Sequence, residues 1–520
     1  MYSKGVQTSL EESEEDEGSR RKRKLSARER DVEVEKLRQE IEAELKALHK
    51  LEADEPEPRR IRPLPAEELQ AVAASQEFTS FIERSSKVAE RALDEDYDIL
   101  ADYSLREGIL QDGDSTLAGL SVRETASFSL PDSMGTHRMI SSLDFSPKYP
   151  ELLCAAYTKS QSNPHTPPGL LNVWNLHLKT RPEYSLHSTS DILSCIFHPY
   201  QPNLLLGGTY TGQVCLWDIR TGTGQPVSKT PLTGGRSGHA HPIYSLCVVG
   251  TLNASSIVSV STDGVVCSWT PEMLSLPQEY LELHSTSPAL FKTDEVAPTC
   301  ISFPVGDPTV FLAGTEQGSI LPVHRYDRAH AKAGVDTRVV YRGHTAPVTG
   351  VHCHPSRGPI DLADLCLSSG LDWSVKLWRT RPSATKEEVV APLISFEKED
   401  PVYDVMWHPL RPGVFATVDG AGHLDIHDLV RDKESYVARA TTGESDALQG
   451  REVQASAQTS RLKSLNCLSW EKTAGKQVVV GGLEGKVTVF ELGQDLTGPE
   501  PKKEVWSGLR SWIRGGAKAL

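Results

Sequence analysis

Two sets of side chains in this 520-residue chain are of the types that could do chemistry. They are His344, Ser368 and Asp372 with Trp378, and His239, Ser261 and Asp263 with Trp269. A histidine between a carboxylate and a hydroxyl is the arrangement that activates a serine nucleophile. A catalytic triad, however, is needed once, and here the same order recurs in two separate stretches. The alternative is a relay: the aspartate holds the imidazole, the imidazole holds the hydroxyl, and the hydroxyl reaches the indole N–H. Such a relay pairs every polar atom of a buried cluster. Both sets therefore read as structural tetrads, with Ser369 an alternative to Ser368 in the first. His352, Cys353 and His354 are metal-ligand types, but adjacent residues of a strand point to opposite faces and cannot converge on one ion. Gly207-Gly208 and Gly481-Gly482 lie between strands, and the sequence has no Walker or dinucleotide fingerprint. No catalytic residue, cofactor or metal ligand is assigned, and the chain is expected not to be an enzyme.

The elements that must position these residues are repeats. A block recurs seven times between His137 and Gly493. Each copy has two apolar runs, a Gly or Asp-Gly turn and an alternating strand that often carries Trp. The clearest copies end in GLLNVWNL (Gly169–Leu176), GQVCLWDI (Gly212–Ile219), DGVVCSWT (Asp263–Thr270) and DWSVKLWR (Asp372–Arg379). Weaker ones end in GSILPVHR (Gly318–Arg325), GHLDIHDL (Gly422–Leu429) and GKVTVFEL (Gly485–Leu492). A period of roughly 40 residues with four short strands is the signature of a β-propeller. The fold class expected is all-β, a seven-bladed WD-repeat propeller over residues 124–495. Block seven runs out of strands before its outer edge, so the stretch Ala126–Leu130, and within it Ser127–Leu130, is expected to complete that blade. The long inter-block stretches Thr221–Gly238, Arg325–Tyr341 and Val430–Leu462 read as surface loops.

The formal net charge of −15 argues against nonspecific nucleic-acid binding, which calls for a basic surface. No apolar run approaches the roughly 18 residues that cross a bilayer, and polar and acidic residues follow Met1 where a secretory signal would be apolar. The nine cysteines fall in the repeats, mostly within apolar strands, and none forms a CxxC pair. They read as reduced core thiols of a cytosolic protein.

Ahead of the repeats, residues 1–30 have too little apolar content to offset ordering entropy and read as a disordered arm. Within it, Ser3, Lys4, Gly5, Val6, Gln7, Thr8 and Ser9 alternate as a strip that can add to the edge of another protein's sheet. Residues 31–55 read as an amphipathic helix or short coiled coil on the spacing of Val34, Leu37, Ile41, Leu45, Leu48 and Leu51. Residues 56–74 form a Pro-rich linker. Residues 75–98 hold a second amphipathic helix. Phe78, Phe81, Ile82, Val88, Ala89, Ala92 and Leu93 share its apolar face, which fits a partner groove better than its own propeller. A linker, 99–123, follows. At the far end, 496–520 forms an amphipathic tail with Val505, Trp506, Leu509, Trp512 and Ile513 at helical spacing. It either caps the disk edge or enters a partner.

Taken together the chain resembles the intermediate chains of cytoplasmic dynein, from about Ser75 to Trp512. The segments that carry the likeness are Ser141–Tyr157, Pro202–Asp218, Val248–Trp269, Leu371–Trp378, Pro401–Pro409 and the helical Glu77–Ser104. The resemblance implies a scaffold subunit of a microtubule motor in the cytoplasm, two copies per complex, with its propeller on the dynein heavy chain. It implies that Ser3–Ser9 takes the dimeric hub light chain and that the helix around Phe78–Leu93 takes the Roadblock-type light chain. The family's segments for the Tctex-type light chain and for dynactin precede the hub motif. This sequence starts two residues before that motif, so those segments are expected to be missing from it. The rival expectation is a WD-repeat adaptor of another complex, with the arm motifs coincidental.

Overall fold

The structure is a computed structural model. It describes residues 72–93 and 120–515, apart from 132–133, 136–137, 161–164, 233–236, 285–295, 328–331, 337, 381–387, 443–463 and 498–502, together with Glu35, Lys36, Arg38, Gln39, Glu42 and Ala43. The chain divides into two compact units, Met1–Ile82 and Glu83–Leu520, and the strands all lie in the second. Those strands make seven sheets, each antiparallel through its first four strands. Blade one is Ile140–Phe145, Leu152–Tyr157, Gly169–Asn175 and Tyr184–Ser188, paired in that order. The other blades repeat this meander with first strands Ile192–Phe197, Ile243–Gly250, Pro298–Ser302, Val348–Cys353, Val402–Trp407 and Leu465–Trp470.

Ring closure follows the expectation with shifted bounds. Strand Val122–Phe128 pairs antiparallel with Val487–Leu492 and forms the outer strand of blade seven. It begins four residues earlier than Ala126, and Leu130 lies outside it. Only its inward-facing Ala126 and Phe128 are buried, so its first half carries little apolar signal. The three stretches read as loops also hold outer strands: Ser228–Lys229 in blade two, Gly334–Val335 and Val339–Arg342 in blade four, Ala438–Thr441 in blade six. Outer strands are short and half-exposed, so they lack the apolar run that marks the inner three. Blade four gains a further strand. Glu388–Val390 pairs parallel with Val339–Arg342 before the chain returns to blade five at Ile394–Glu397, which stitches the two blades together.

The core is not one cluster but a layer at each blade junction. Phe128, Phe145, Tyr157 and Trp174 pack with Val479 and Val489 between blades seven and one. Phe197, Leu205 and Trp217 fill the next junction, and five more follow round the ring. Trp174, Trp217, Trp269, Trp378 and Trp407 are all fully buried.

Each first strand leaves an open edge toward the axis, and neighbouring side chains satisfy it. A β-bulge sits at the same place in all seven first strands, for example between Ile140 and Ser142 and between Val402 and Asp404. The bulge turns the intervening residue toward the next blade. Ser141, Thr299 and Thr349 there donate to the carbonyls of Ile192, Val348 and Val402 at 2.6, 2.6 and 2.7 Å. Farther along, Asp144 accepts from the Phe197 N–H at 2.9 Å, and Ser302 from Cys353 at 3.0 Å. Asp144 also pairs with Lys472 of blade seven at 2.7 Å, so one carboxylate ties three blades.

Flanking the strands are the helices α1 (Gln76–Leu93), the single turn α2 (Gln494–Thr497) and α3 (Lys503–Gly515). The α3 helix caps the disk. Trp506, Leu509 and Ile513 are buried against Leu362, Trp407 and Phe415 of blades five and six. Gly358 makes room for this, since a Cβ there would lie 2.0 Å from the Trp506 ring.

Candidate binding surfaces and the networks that frame them

The blade-five tetrad forms as expected. His344 Nδ1 lies 3.0 Å from both Asp372 carboxylate oxygens, its Nε2 lies 2.7 Å from Ser368 Oγ, and the Trp378 indole donates to the same Oγ at 2.7 Å. Ser369 instead lies 2.9 Å from the Thr349 hydroxyl. Burial holds the His344 imidazole below its ordinary pKa, against the opposing pull of Asp372, so the ring is neutral. A neutral ring donating from Nδ1 to the aspartate accepts at Nε2 from Ser368, whose fully buried Oγ is also occupied by the Trp378 indole N–H and is out of reach of a substrate.

Blade three corrects the expectation. His239 Nε2 and Trp269 Nε1 both meet Ser259 Oγ, at 2.6 and 2.8 Å, not Ser261. Ser261 instead donates to Asp263, which also accepts from the Val265 N–H. Both serines face the same way, two residues apart on one strand, but Ser261 is nearer the turn and captures its aspartate. Among the described residues the His239 Nδ1 has no hydrogen-bond partner, and burial pushes the imidazole pKa down to about 4.

Blade six holds an ionic counterpart that the sequence pattern hid. Lys398 precedes strand Val402–Trp407 by the same four residues that separate His344 from strand Val348–Cys353. His427 pairs across from Phe415 as Trp378 does from Cys366. Lys398 Nζ lies 2.8 Å from His427 Nε2 and 2.7 Å from Asp425, which also holds Arg439 at 2.7 Å. Burial first, then the Lys398 charge, depresses His427 to about 3. The charges are all paired internally, which is a structural arrangement, not a site.

His352, Cys353 and His354 diverge, as strand geometry requires. His352 Nδ1 accepts from the Trp407 N–H at 3.3 Å, whereas His354 Nε2 donates to the Pro412 carbonyl at 3.1 Å. Among the described residues no group of three potential ligands converges on a metal position, and all nine cysteines are free thiols. His354 belongs to a recurrent device that periodicity does not reveal. His198, His354 and His408 each end a first strand before proline, accept local backbone N–H groups at Nδ1 and reach the next blade with Nε2. Their X-His-Pro spelling was the available signal. No helix of the described residues is long and apolar enough to cross a membrane.

The α1 helix is the clearest binding surface outside the disk. Ser75 Oγ accepts from the Phe78 N–H and caps its start. Phe78, Phe81, Ile82, Val88, Ala89, Ala92 and Leu93 are all exposed, Phe81 at 64% and Leu93 at 84%. From Glu83 onward the polar face lies on blade one. Arg91 pairs with Glu183 at 2.7 Å, Arg181 with Glu90 at 2.8 Å, and Arg181 donates to Ser86 at 2.6 Å. Lys87 sits 4.7 Å above the Tyr184 ring. From Glu83 to Leu93 the helix therefore rests on its own propeller by charge and leaves Val88, Ala89, Ala92 and Leu93 uncovered, the reverse of ordinary core packing. The strip Ser3–Ser9, most of the 31–55 helix and the acidic run Asp94–Asp98 lie outside the described residues. The six described positions of the 31–55 stretch are helical and exposed.

Residues 144–251 match the family model described as the dynein axonemal intermediate chain 3 WD40 domain. Residues 336–379 match the WD domain, G-beta repeat. A cytoplasmic dynein 1 intermediate chain of Drosophila melanogaster is 34% identical over 462 residues, 88% of this chain and 63% of that protein. This chain thus spans a little under two thirds of the length of that relative. The likeness runs across the propeller instead of stopping at one repeat, so over most of its length the chain is similar to the WD-repeat intermediate chains of dynein.

Proposed function

We propose that this protein is a non-catalytic scaffold subunit of the cytoplasmic dynein motor, docking on the heavy chain through its propeller and gathering dimeric light chains on its N-terminal arm. The observation that carries this reading is the α1 helix, whose polar face from Glu83 onward is engaged on blade one while Val88, Ala89, Ala92 and Leu93 stay exposed, as do Phe78, Phe81 and Ile82 earlier in the helix. A Roadblock-type light chain covering Phe78, Phe81, Ile82, Val88, Ala89, Ala92 and Leu93 accounts for that stripe. The hub light chain takes Ser3–Ser9 as an added strand, with Gln7 and Thr8 at its centre. Because each light chain is a dimer, clamping one pair of arms raises the effective concentration for the next, and modest affinities add up to a stable assembly. In this reading ATP hydrolysis belongs to the heavy chain. Location on microtubules in the cytoplasm follows from that assembly.

Affinity capture of the tagged full chain from its native cells tests the reading. Recovery of a dynein heavy chain with hub and Roadblock-type light chains is expected, and Gln7→Ala with Thr8→Ala should remove the hub light chain alone. A different stable complex without dynein would leave the propeller standing and overturn the motor assignment.

A further inference from the structure

One turn of the disk breaks the pattern of the rest. The turn between second and third strands places a residue in the left-handed region in six blades. In five that residue is glycine: Gly212, Gly264, Gly318, Gly422 and Gly485, with φ between +77° and +91°. In blade five it is Trp373, with φ +62°. Left-handed backbone is strained for any residue with a Cβ, and more so for a bulky one. At Gly318 a Cβ would come within 2.5 Å of the His344 carbonyl of the adjoining loop, and at Gly485 within 2.2 Å of the Arg138 carbonyl. In blade five the Trp373 carbonyl accepts from the Lys398 N–H at 2.8 Å, as the Gly264 carbonyl accepts from the Leu283 N–H at 2.8 Å in blade three, and the Trp373 side chain stands 51% exposed.

Local structure does not account for that indole. Ser356, the other non-glycine residue with positive φ, is explained by its own bonds: its N–H meets His354 and its hydroxyl meets Asp361. The Trp373 indole makes no hydrogen bond or ring contact among the described residues, and neighbouring Asp372 is already occupied by the tetrad. Beside Trp373, Leu371 is exposed, and so is Glu399, next to the Lys398 that binds the turn. Asp400 follows, half-exposed. Lys398 itself turns inward to Asp425, so two apolar side chains, Leu371 and Trp373, stand exposed on the turn, and the carboxylates of Glu399 and Asp400 follow the residue that binds it.

We infer that Trp373 anchors the propeller's docking surface for the heavy chain, on the face of the disk formed by these turns, and that the occupant is a basic amphipathic segment of the heavy-chain tail. This rests on the scaffold reading proposed above and names the face and residues that serve it. An indole offers both an apolar plate and a cation-binding face. Glu399 and Asp400 supply charge complementary to lysine or arginine beside the apolar contact. Strain that persists at an exposed side chain without a local partner is the kind found at ligand clamps.

The test uses the full chain and a recombinant heavy-chain tail, with binding followed by calorimetry and stability by thermal melting. Trp373→Gly restores the residue type of the other blades, so its melting temperature should equal or exceed that of the unchanged chain. Its affinity should nevertheless fall at least about tenfold, the size of loss expected for a buried aromatic anchor. Glu399→Lys with Asp400→Lys should weaken binding and flatten its dependence on salt. Equal affinity of Trp373→Gly and the unchanged chain overturns the inference while leaving the scaffold reading intact. A drop in melting temperature with unchanged affinity assigns Trp373 a structural role and also overturns it. Failure of the unchanged chain to bind the tail overturns both.

Discussion

Ser259 and Ser261 sit two positions apart, both fully buried, and their chemistry differs because of one turn. Ser259 satisfies two buried partners, the His239 imidazole and the Trp269 indole. Ser261 satisfies a single aspartate that keeps a backbone donor regardless. Ser259→Ala should therefore cost about 2–3 kcal/mol, because each orphaned buried group carries its own desolvation penalty. Ser261→Ala should cost about 1 kcal/mol or less by the same reasoning. Urea denaturation of the two variants checks the order; equal losses would show that Ser261 shares the indole. The order of residue types along the chain predicted a histidine–serine–indole link here, but the aspartate that should complete it is held by Ser261 instead. Which serine enters it depends on distances across two strands and a loop, and residue spacing does not contain those.

At the scale of elements, α1 shows how a helix can be read from its sequence while its orientation cannot. The spacing from Phe78 to Leu93 fixes one apolar face, and the helix forms over Gln76–Leu93. The side that meets the propeller is decided by Glu183, Arg181 and Tyr184, residues about a hundred positions away. Exposed ion pairs of this kind contribute little individually and weaken with salt. Replacing Phe81 and Ile82 with Asp should accordingly leave the propeller's melting temperature unchanged and release the Roadblock-type light chain alone in pulldowns. Persistence of that chain would place its binding elsewhere. The α3 tail teaches the opposite lesson. Its two tryptophans demand burial, but only the gap above Gly358 between blades five and six shows that the cover is the protein's own disk.

For the whole molecule, stability is spread round the ring, and so is its sensitivity to acid. Burial holds His354 and His408 down to about 4, well below the ordinary imidazole value. Between roughly pH 6.5 and pH 4 the unfolded chain takes up protons that the folded chain refuses. Stability from these groups is complete above pH 6.5 and lost as pH falls through 4, each contributing on the order of 3 kcal/mol. Asp404 acts in the other direction. Burial raises it to about 7, so its contribution is complete below the ordinary carboxylate range and is lost as pH rises toward 7. With more histidines than carboxylates so placed, the urea midpoint should fall between pH 7 and pH 5. The double variant His354→Asn, His408→Asn should be less stable at pH 7 and show a shallower fall; a slope equal to that of the unchanged chain would locate the titration elsewhere. The sequence by itself determined the propeller, its seven repeats, the closing segment near Phe128 and the α1 stripe, because each is written in local periodicity and turn chemistry. Tertiary structure alone decided the outer strands hidden in polar loops, the Lys398–His427 exchange in blade six, the histidine links between blades and the exposure of Trp373. Each of those depends on what a side chain meets across a blade junction, and partners far apart in the chain leave no period to read.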